Sequence, residues 1–416
     1  MFTIRPNVTR SGQGYLALLL ILILEVGSPF HAFGGDKKDS TPPKPPPVID
    51  YSKIVWPNPP AIARIKYKAF FAAQKLSQVE PPKTKKESWM DRLAGTQTAA
   101  ENPKVLFQLA EPYGMAVDSK GNLYVADQKV GAIFIFNTET RDVELIKNSV
   151  HAHFVRIIGL AMDDNDRLFV SDPGLKHVLV LNAKHEPEDV ITDGLVSPGG
   201  LAIDVENRLL YVADVEQDQV LVYDADTLKL KRRIGTGGKN HALTTPGDFA
   251  RPSGVAVDHD GNLYVADTLN NRIEIFDGDG KFIKAFGKAG DGPGYFSRPK
   301  GVAIDSDDHI WVADGMQDHV QVFNQDEQLL ISFGGHGLLP GMFQALVDIM
   351  IDKKDRVFTS EIFAGRVQEF QYVTDAEADK LRKEREELRE KKAGSSDKDS
   401  ASSATSNVQA QAPQSK

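Results

Sequence analysis

The side chains able to do chemistry are few in kind and repetitive in place. Cysteine is absent from the 416 residues, which removes thiolate nucleophiles, thiolate metal sites and disulfides. Histidine is then the main soft ligand. His151 and His153 form a His-x-His pair, and His241 lies in a later segment. Three imidazoles with one open position are a set that can hold a catalytic zinc. That reading needs two separate loops to converge, and exposed loop histidines are the simpler one. Carboxylates are more regular. Asp127, Asp172, Asp214, Asp267 and Asp314 recur once per repeat, as do Asp118, Asp163, Asp204, Asp258, Asp305 and Asp352. A reacting group is needed once, so these aspartates read as turn residues accepting backbone N–H groups. Asp277-Gly-Asp279-Gly and the acidic run at 305–308 lack the twelve-residue spacing and closing glutamate of a calcium loop. The glycine-rich run 287–294 lacks the Gly-Lys-Ser/Thr ending of a phosphate loop.

The elements that carry these residues come from one unit copied six times. Its first strand is read in Pro112-Tyr-Gly-Met-Ala-Val-Asp118, and again in Pro252-Ser-Gly-Val-Ala-Val-Asp258 and Pro299-Lys-Gly-Val-Ala-Ile-Asp305. A second strand follows each, as in Leu123-Tyr-Val-Ala-Asp127 and Leu263-Tyr-Val-Ala-Asp267, and then a third, as in Ile133-Phe-Ile-Phe136. A fourth apolar run stands between units, as in Lys281-Phe-Ile-Lys-Ala-Phe286. Short β-branched and aromatic runs between turn residues are strands. Four of them repeating every 41 to 54 residues make a propeller blade. The expected fold is all-β, a six-bladed β-propeller over 104–372. The last unit stops after its third strand, so Val105-Leu-Phe-Gln-Leu109 is expected to complete the sixth blade and close the ring.

The run Arg251 to Phe276 resembles the NHL repeat almost throughout, with Arg-Pro-x-Gly-Val-Ala-Val-Asp, Gly-Asn-Leu-Tyr-Val-Ala-Asp and Asn-x-Arg-Ile-x-x-Phe in order. The segments Val55-Trp-Pro-Asn-Pro-Pro60 and Arg64-Ile-Lys-Tyr67 resemble the arm of exported bacterial six-bladed propeller proteins, a group of mostly unknown role. The sixth copy departs furthest from the repeat. Peptidyl-hydroxyglycine amidating lyases are similar propellers, and that likeness implies zinc-binding histidines just before the first-strand glycine. Those positions are Tyr113, Ile158, Gly199, Ser253, Lys300 and Val347, with no histidine among them. The Glu, Asn and Asp set of gluconolactonase-like propellers cannot be placed on these repeats. Fold likeness by itself does not assign a function.

The flanks read differently from the body. Arg5 and Arg10 precede the apolar run from Tyr15 to Leu24, too short to span a bilayer, so 1–34 is expected to be a secretory signal. Residues 35–103 form a proline-rich, net basic arm, in which Trp56 is expected to dock on a surface and 62–76 to be a short helix or an edge strand. Thr374-Asp-Ala-Glu377 is a capping box opening a charged helix over 373–392. The Ser, Ala and Gln composition of 393–416 reads as a disordered tail.

The net charge of −9 argues against a nucleic-acid partner. Lys229, Lys231, Arg232 and Arg233 read as charged guarding of an outer strand. The joins between second and third strands share one rim and carry Pro173, Leu175, Glu216, Leu269, Met316, Gln317 and Phe363. With Tyr113 and Lys300, these are the candidate partner-binding residues. The expectation is an exported, periplasmic or extracellular, non-enzymatic binding scaffold without a cofactor. Its partner is expected to be an envelope or extracellular protein, with carbohydrate as a weaker option and membrane contact only through an uncleaved signal. The alternative is a metal-dependent lyase or hydrolase at the channel mouth, using His151, His153 and His241.

Overall fold

The computed structural model describes residues 50–73, 107–148, 153–238 and 245–406. The expected signal at 1–34, most of the arm, and His151 and His241 lie outside the described residues. Six antiparallel sheets are arranged as a ring, five of four strands and one of five. Their innermost strands are Pro112–Val117, Leu160–Met162, Pro198–Asp204, Pro252–Val257, Pro299–Ile304 and Leu346–Ile351, each packed beside the next, with the sixth against the first.

The middle strands are apolar runs because neighbouring blades cover both of their faces. Leu263–Asp267 and Ile310–Asp314 are buried at every position. Outer strands alternate between half-buried or buried and exposed positions, as in Leu329–Gly334. The core is accordingly divided among the seams. In one seam Tyr264, Ile275 and Phe286 of the fourth blade pack on Val302, Val312 and Phe323 of the fifth.

The repeated aspartates do what their spacing predicts, and more. The Asp172 carboxylate accepts from the N–H groups of Gly174 (2.9 Å) and Leu175 (3.1 Å) in the turn after its own strand. It also accepts from Val155 (2.6 Å) and Arg156 (3.0 Å) in the loop arriving from the previous blade. Asp127 and Asp314 repeat the arrangement, Asp314 through Ser297, Arg298, Met316 and Gln317. Each carboxylate therefore fastens two loops at once. The second series closes the opposite hairpins: Asp258 accepts from the N–H groups of Asp260 (3.0 Å) and Asn262 (2.8 Å).

Ring closure differs from the sequence expectation. The fourth strand of the sixth blade is Ile65–Phe71, paired antiparallel with Arg366–Tyr372, and not Val105–Leu109. The alternation of Ile65, Tyr67, Ala69 and Phe71 places four side chains inward and Lys66, Lys68 and Phe70 outward, which suits a sheet edge. Near 105–109 the described residues show only an isolated bridge, Gln108 to Ala73. Val55–Trp56 adds a fifth strand, and Trp56 packs on Phe333 and Phe370 at ring distances of 5.2 and 5.9 Å. The described part of the arm, 50–73, thus lies on the body: Arg64 binds Asp375 and donates to the Tyr372 hydroxyl at 2.8 Å.

Thr374 caps the C-terminal helix, accepting from Glu377 N–H at 3.3 Å. That helix spans Asp375–Ser406 and so continues past Lys392 into the segment read as a tail. The Ala, Ser and Lys residues there are compatible with a helix, and no proline interrupts them.

Two stability outcomes follow. Asp172→Ala leaves the N–H groups of Val155, Arg156 and Gly174 without their acceptor and is expected to lower unfolding free energy by about 3–5 kcal/mol in urea titration. Phe71 touches Phe136 of the first blade and Phe358 of the sixth. Phe71→Ala is expected to cost about 3–5 kcal/mol by the same measurement; a change under about 1 kcal/mol would contradict closure by Ile65–Phe71.

Candidate functional site

The ring has two unlike ends. One carries the turns between second and third strands together with the loops between blades; this is the loop face. The other carries the remaining hairpins; this is the turn face.

On the loop face, Phe363 and Met316 are 80% and 64% exposed, and Leu269 is also exposed. Val130, Val155, Leu338 and Leu339, not singled out from the sequence, join them on the same face. Their signal was available, since each is a large apolar residue in a turn or inter-blade loop. They come from consecutive blades: Leu269 from the fourth, Met316 from the fifth, Phe363 from the sixth, Val130 from the first. Val155 enters the second, and Leu338 and Leu339 connect the fifth to the sixth. Glu216 is exposed beyond this arc, and Leu175 is half-buried.

Gln317 is committed to structure, its amide donating to the Gly290 carbonyl (2.6 Å) and Ser297 Oγ (2.8 Å). Tyr113 and Lys300 are half-buried. Burial, with Arg298 nearby, holds the Lys300 ammonium below the usual lysine range, and its stem lies over Gly315. His153 is exposed. Among the described residues no three His, Asp or Glu side chains come together as a metal site. His336 is paired with Asp318 at 2.8 Å.

A cavity of about 620 Å³ occupies the ring's centre. Its wall is made by all six inner strands, with Leu160, Leu201, Val255, Val302 and Ile349 among the lining residues. It runs from the first-strand glycines to the hairpins of the turn face, where Asp118, His259, Lys353 and Lys354 stand. Neither glutamate nor asparagine lines it.

The glycines are there because the strands approach closely. A Cβ at Gly114 would lie 2.4 Å from the Ile158 carbonyl, and one at Gly254 2.4 Å from that of Lys300. Gly159, Gly200 and Gly301 complete five of the six positions. The sixth is Asp348. Its Oδ1 lies 2.9 Å from where a Cβ at Gly301 would stand, so the absent side chain of one blade makes room for the carboxylate of the next. Asp348 accepts one hydrogen bond, from Ile349 N–H at 2.9 Å. Burial pushes its carboxyl up to about 7, opposed only by that bond. The sequence carried the signal in the sixth repeat, where aspartate replaces the glycine of the other five.

In the unfolded chain this carboxyl titrates near 4. Between that pH and about 7 the folded protein holds a proton that the unfolded chain has released. The stabilisation is therefore full in acid and is lost as pH rises through about 7. Asp348→Asn is expected to match the wild type at pH 4 and to exceed it at pH 8 by up to about 4 kcal/mol in urea denaturation. Equal stability at both pH values would show that Asp348 is not held in this environment.

Comparison with known proteins gives the same architecture. The model of the SMP-30/Gluconolactonase/LRE-like region matches residues 90–289, and a family described as a 6-bladed beta-propeller matches 242–408. NHL repeat-containing protein 2 of Homo sapiens is 34% identical over 93 residues, covering 21% of this chain and 13% of that protein. Peptidyl-glycine alpha-amidating monooxygenase of Mus musculus is 30% identical over 216 residues, 49% of this chain and 19% of that protein. The chain thus spans less than a fifth of either relative's length. Among solved structures, a protein of unknown function from Bacteroides thetaiotaomicron superposes with a TM-score of 0.51 at 16% identity, over 63% of this chain and 70% of that one. Repeat, ring and relatives agree: the chain is a six-bladed β-propeller of NHL-like repeats.

Proposed function

We propose that the protein is a binding scaffold whose loop face receives another protein. One observation carries this reading: large apolar side chains stand exposed on one face, on the turns and loops of consecutive blades. A monomer rarely leaves such a grouping to water without a use for it. The turns that hold them are already fixed. Val130 N–H is bonded to Asp127 at 2.9 Å and Met316 N–H to Asp314 at 3.0 Å. Little ordering is then left to do on association, which favours affinity. With the export expected from 1–34, the partner belongs to the envelope or the extracellular space. Carbohydrate is the weaker candidate, because an apolar arc offers it few hydrogen bonds.

The enzymatic alternative asks for three convergent ligands. The positions before the first-strand glycines contain no histidine, and two of the three loop histidines lie outside the described residues. Among the described residues nothing favours it over binding.

Placing a photo-crosslinking amino acid at 363 is expected to trap a protein partner in cells. The same probe at Asp326, on the turn face, is expected not to. Met316→Asp combined with Leu269→Asp is expected to cut the 363 adduct at least tenfold with an unchanged melting temperature. Equal trapping from both faces, or an adduct indifferent to the double change, would overturn the proposal.

A further inference from the structure

The central cavity is independent of the loop face and is built differently. We propose that it is a binding site for a small apolar amine, whose ammonium pairs with the Asp348 carboxylate at the glycine level while its hydrocarbon lies along the inner strands.

The volume is within the range of small-molecule sites, roughly 300–1,000 Å³. The walls supply Val, Ile, Leu and Met side chains; Asp348 stands at the glycine level, and the other charged residues lie at the turn-face hairpins. That combination orients a ligand: the chain is held by burial and the head by a single charge-assisted hydrogen bond. Five glycines at the level of Asp348 contribute no side chain, so none of them competes for the carboxylate. Its own Ile349 N–H is the one donor it has among the described residues. No cationic side chain of the described residues is paired with it: Lys300, the nearest on the neighbouring inner strand, lies over Gly315.

The residue is half-buried, lines the cavity and has no cationic partner among the described residues. An incoming cation gains most from such a group, because attraction between opposite charges is strongest where water is excluded. A carboxylic acid head beside Asp348 would instead add a second acidic group where no cation of the described residues is paired, since Lys353, Lys354 and Arg356 stand at the opposite, turn-face end, and that is unfavourable. Asp348 is not required by the fold, which meets the same position with glycine in the other five blades.

The test is calorimetric titration of the full chain with n-hexylammonium at pH 7.5, with n-hexanol as the neutral probe of equal shape. Wild type is expected to bind the amine at least tenfold more tightly than either Asp348→Asn or Asp348→Gly does. The glycine variant restores the residue of the other five blades and guards against misfolding. Hexanol is expected to bind all three alike. Equal amine affinity in wild type and both variants would overturn the assignment of Asp348, leaving an apolar tunnel only. No amine binding to folded wild type at millimolar concentration would overturn the site itself. Neither outcome bears on partner capture at the loop face, so the two proposals fail separately.

Discussion

The whole ring depends on one repeated interaction, a buried carboxylate at the end of each second strand. A carboxylate in that setting is tolerable only when donors surround it. At Asp127, Asp172, Asp214 and Asp314 the donors are backbone N–H groups from two different loops, one within the blade and one arriving from the blade before, while Asp267 joins Ala250 N–H to the Asn270 and Arg272 side chains. Satisfying the charge therefore fixes both the turn and the seam. The same act creates the rigid loop face on which the exposed apolar side chains are mounted. Structure and presentation are thus one problem with one solution, repeated around the circle.

The sixth blade is where the solution is modified. Glu361 takes the place of the aspartate and reaches Arg366 at 2.8 Å, Gln368 at 2.7 Å and Gln344 N–H at 2.9 Å. Its outer strand comes from the N-terminal side of the ring. Its inner strand carries Asp348 where the others carry glycine. A closed ring built from a linear chain must have one seam unlike the rest, because the first and last units meet without a covalent linker of ordinary length. Divergent residues collect there because the repeat's own rules are relaxed there.

The two ends of the molecule consequently offer different chemistry. The loop face is apolar, broad and held still by the carboxylates beneath it, properties suited to a macromolecular surface. The tunnel is apolar along the inner strands, with Asp348 at the glycine level and charged residues at the turn-face hairpins, properties suited to a small molecule. Neither resembles a convergent set of acid, base and nucleophile.

Much of this could be read without coordinates. Strand runs such as Leu263–Asp267, the turn aspartates and the count of six repeats are local patterns, and local sterics and hydrogen bonding act on neighbours in sequence. The Trp56 docking and the cap at Thr374 follow from the same kind of reasoning. What escaped was set by contacts between residues far apart. Ile65 pairs with Tyr372, and which segment filled that edge depended on the alternation of buried side chains meeting a strand some three hundred positions away. Asp348 was visible as a departure from the repeat, but its environment comes from Gly301 beside it and the ring of inner strands around it. The sequence determined the blade, because a blade is a local object. Only the tertiary structure decided the closure and the tunnel, because both exist only once all six blades meet.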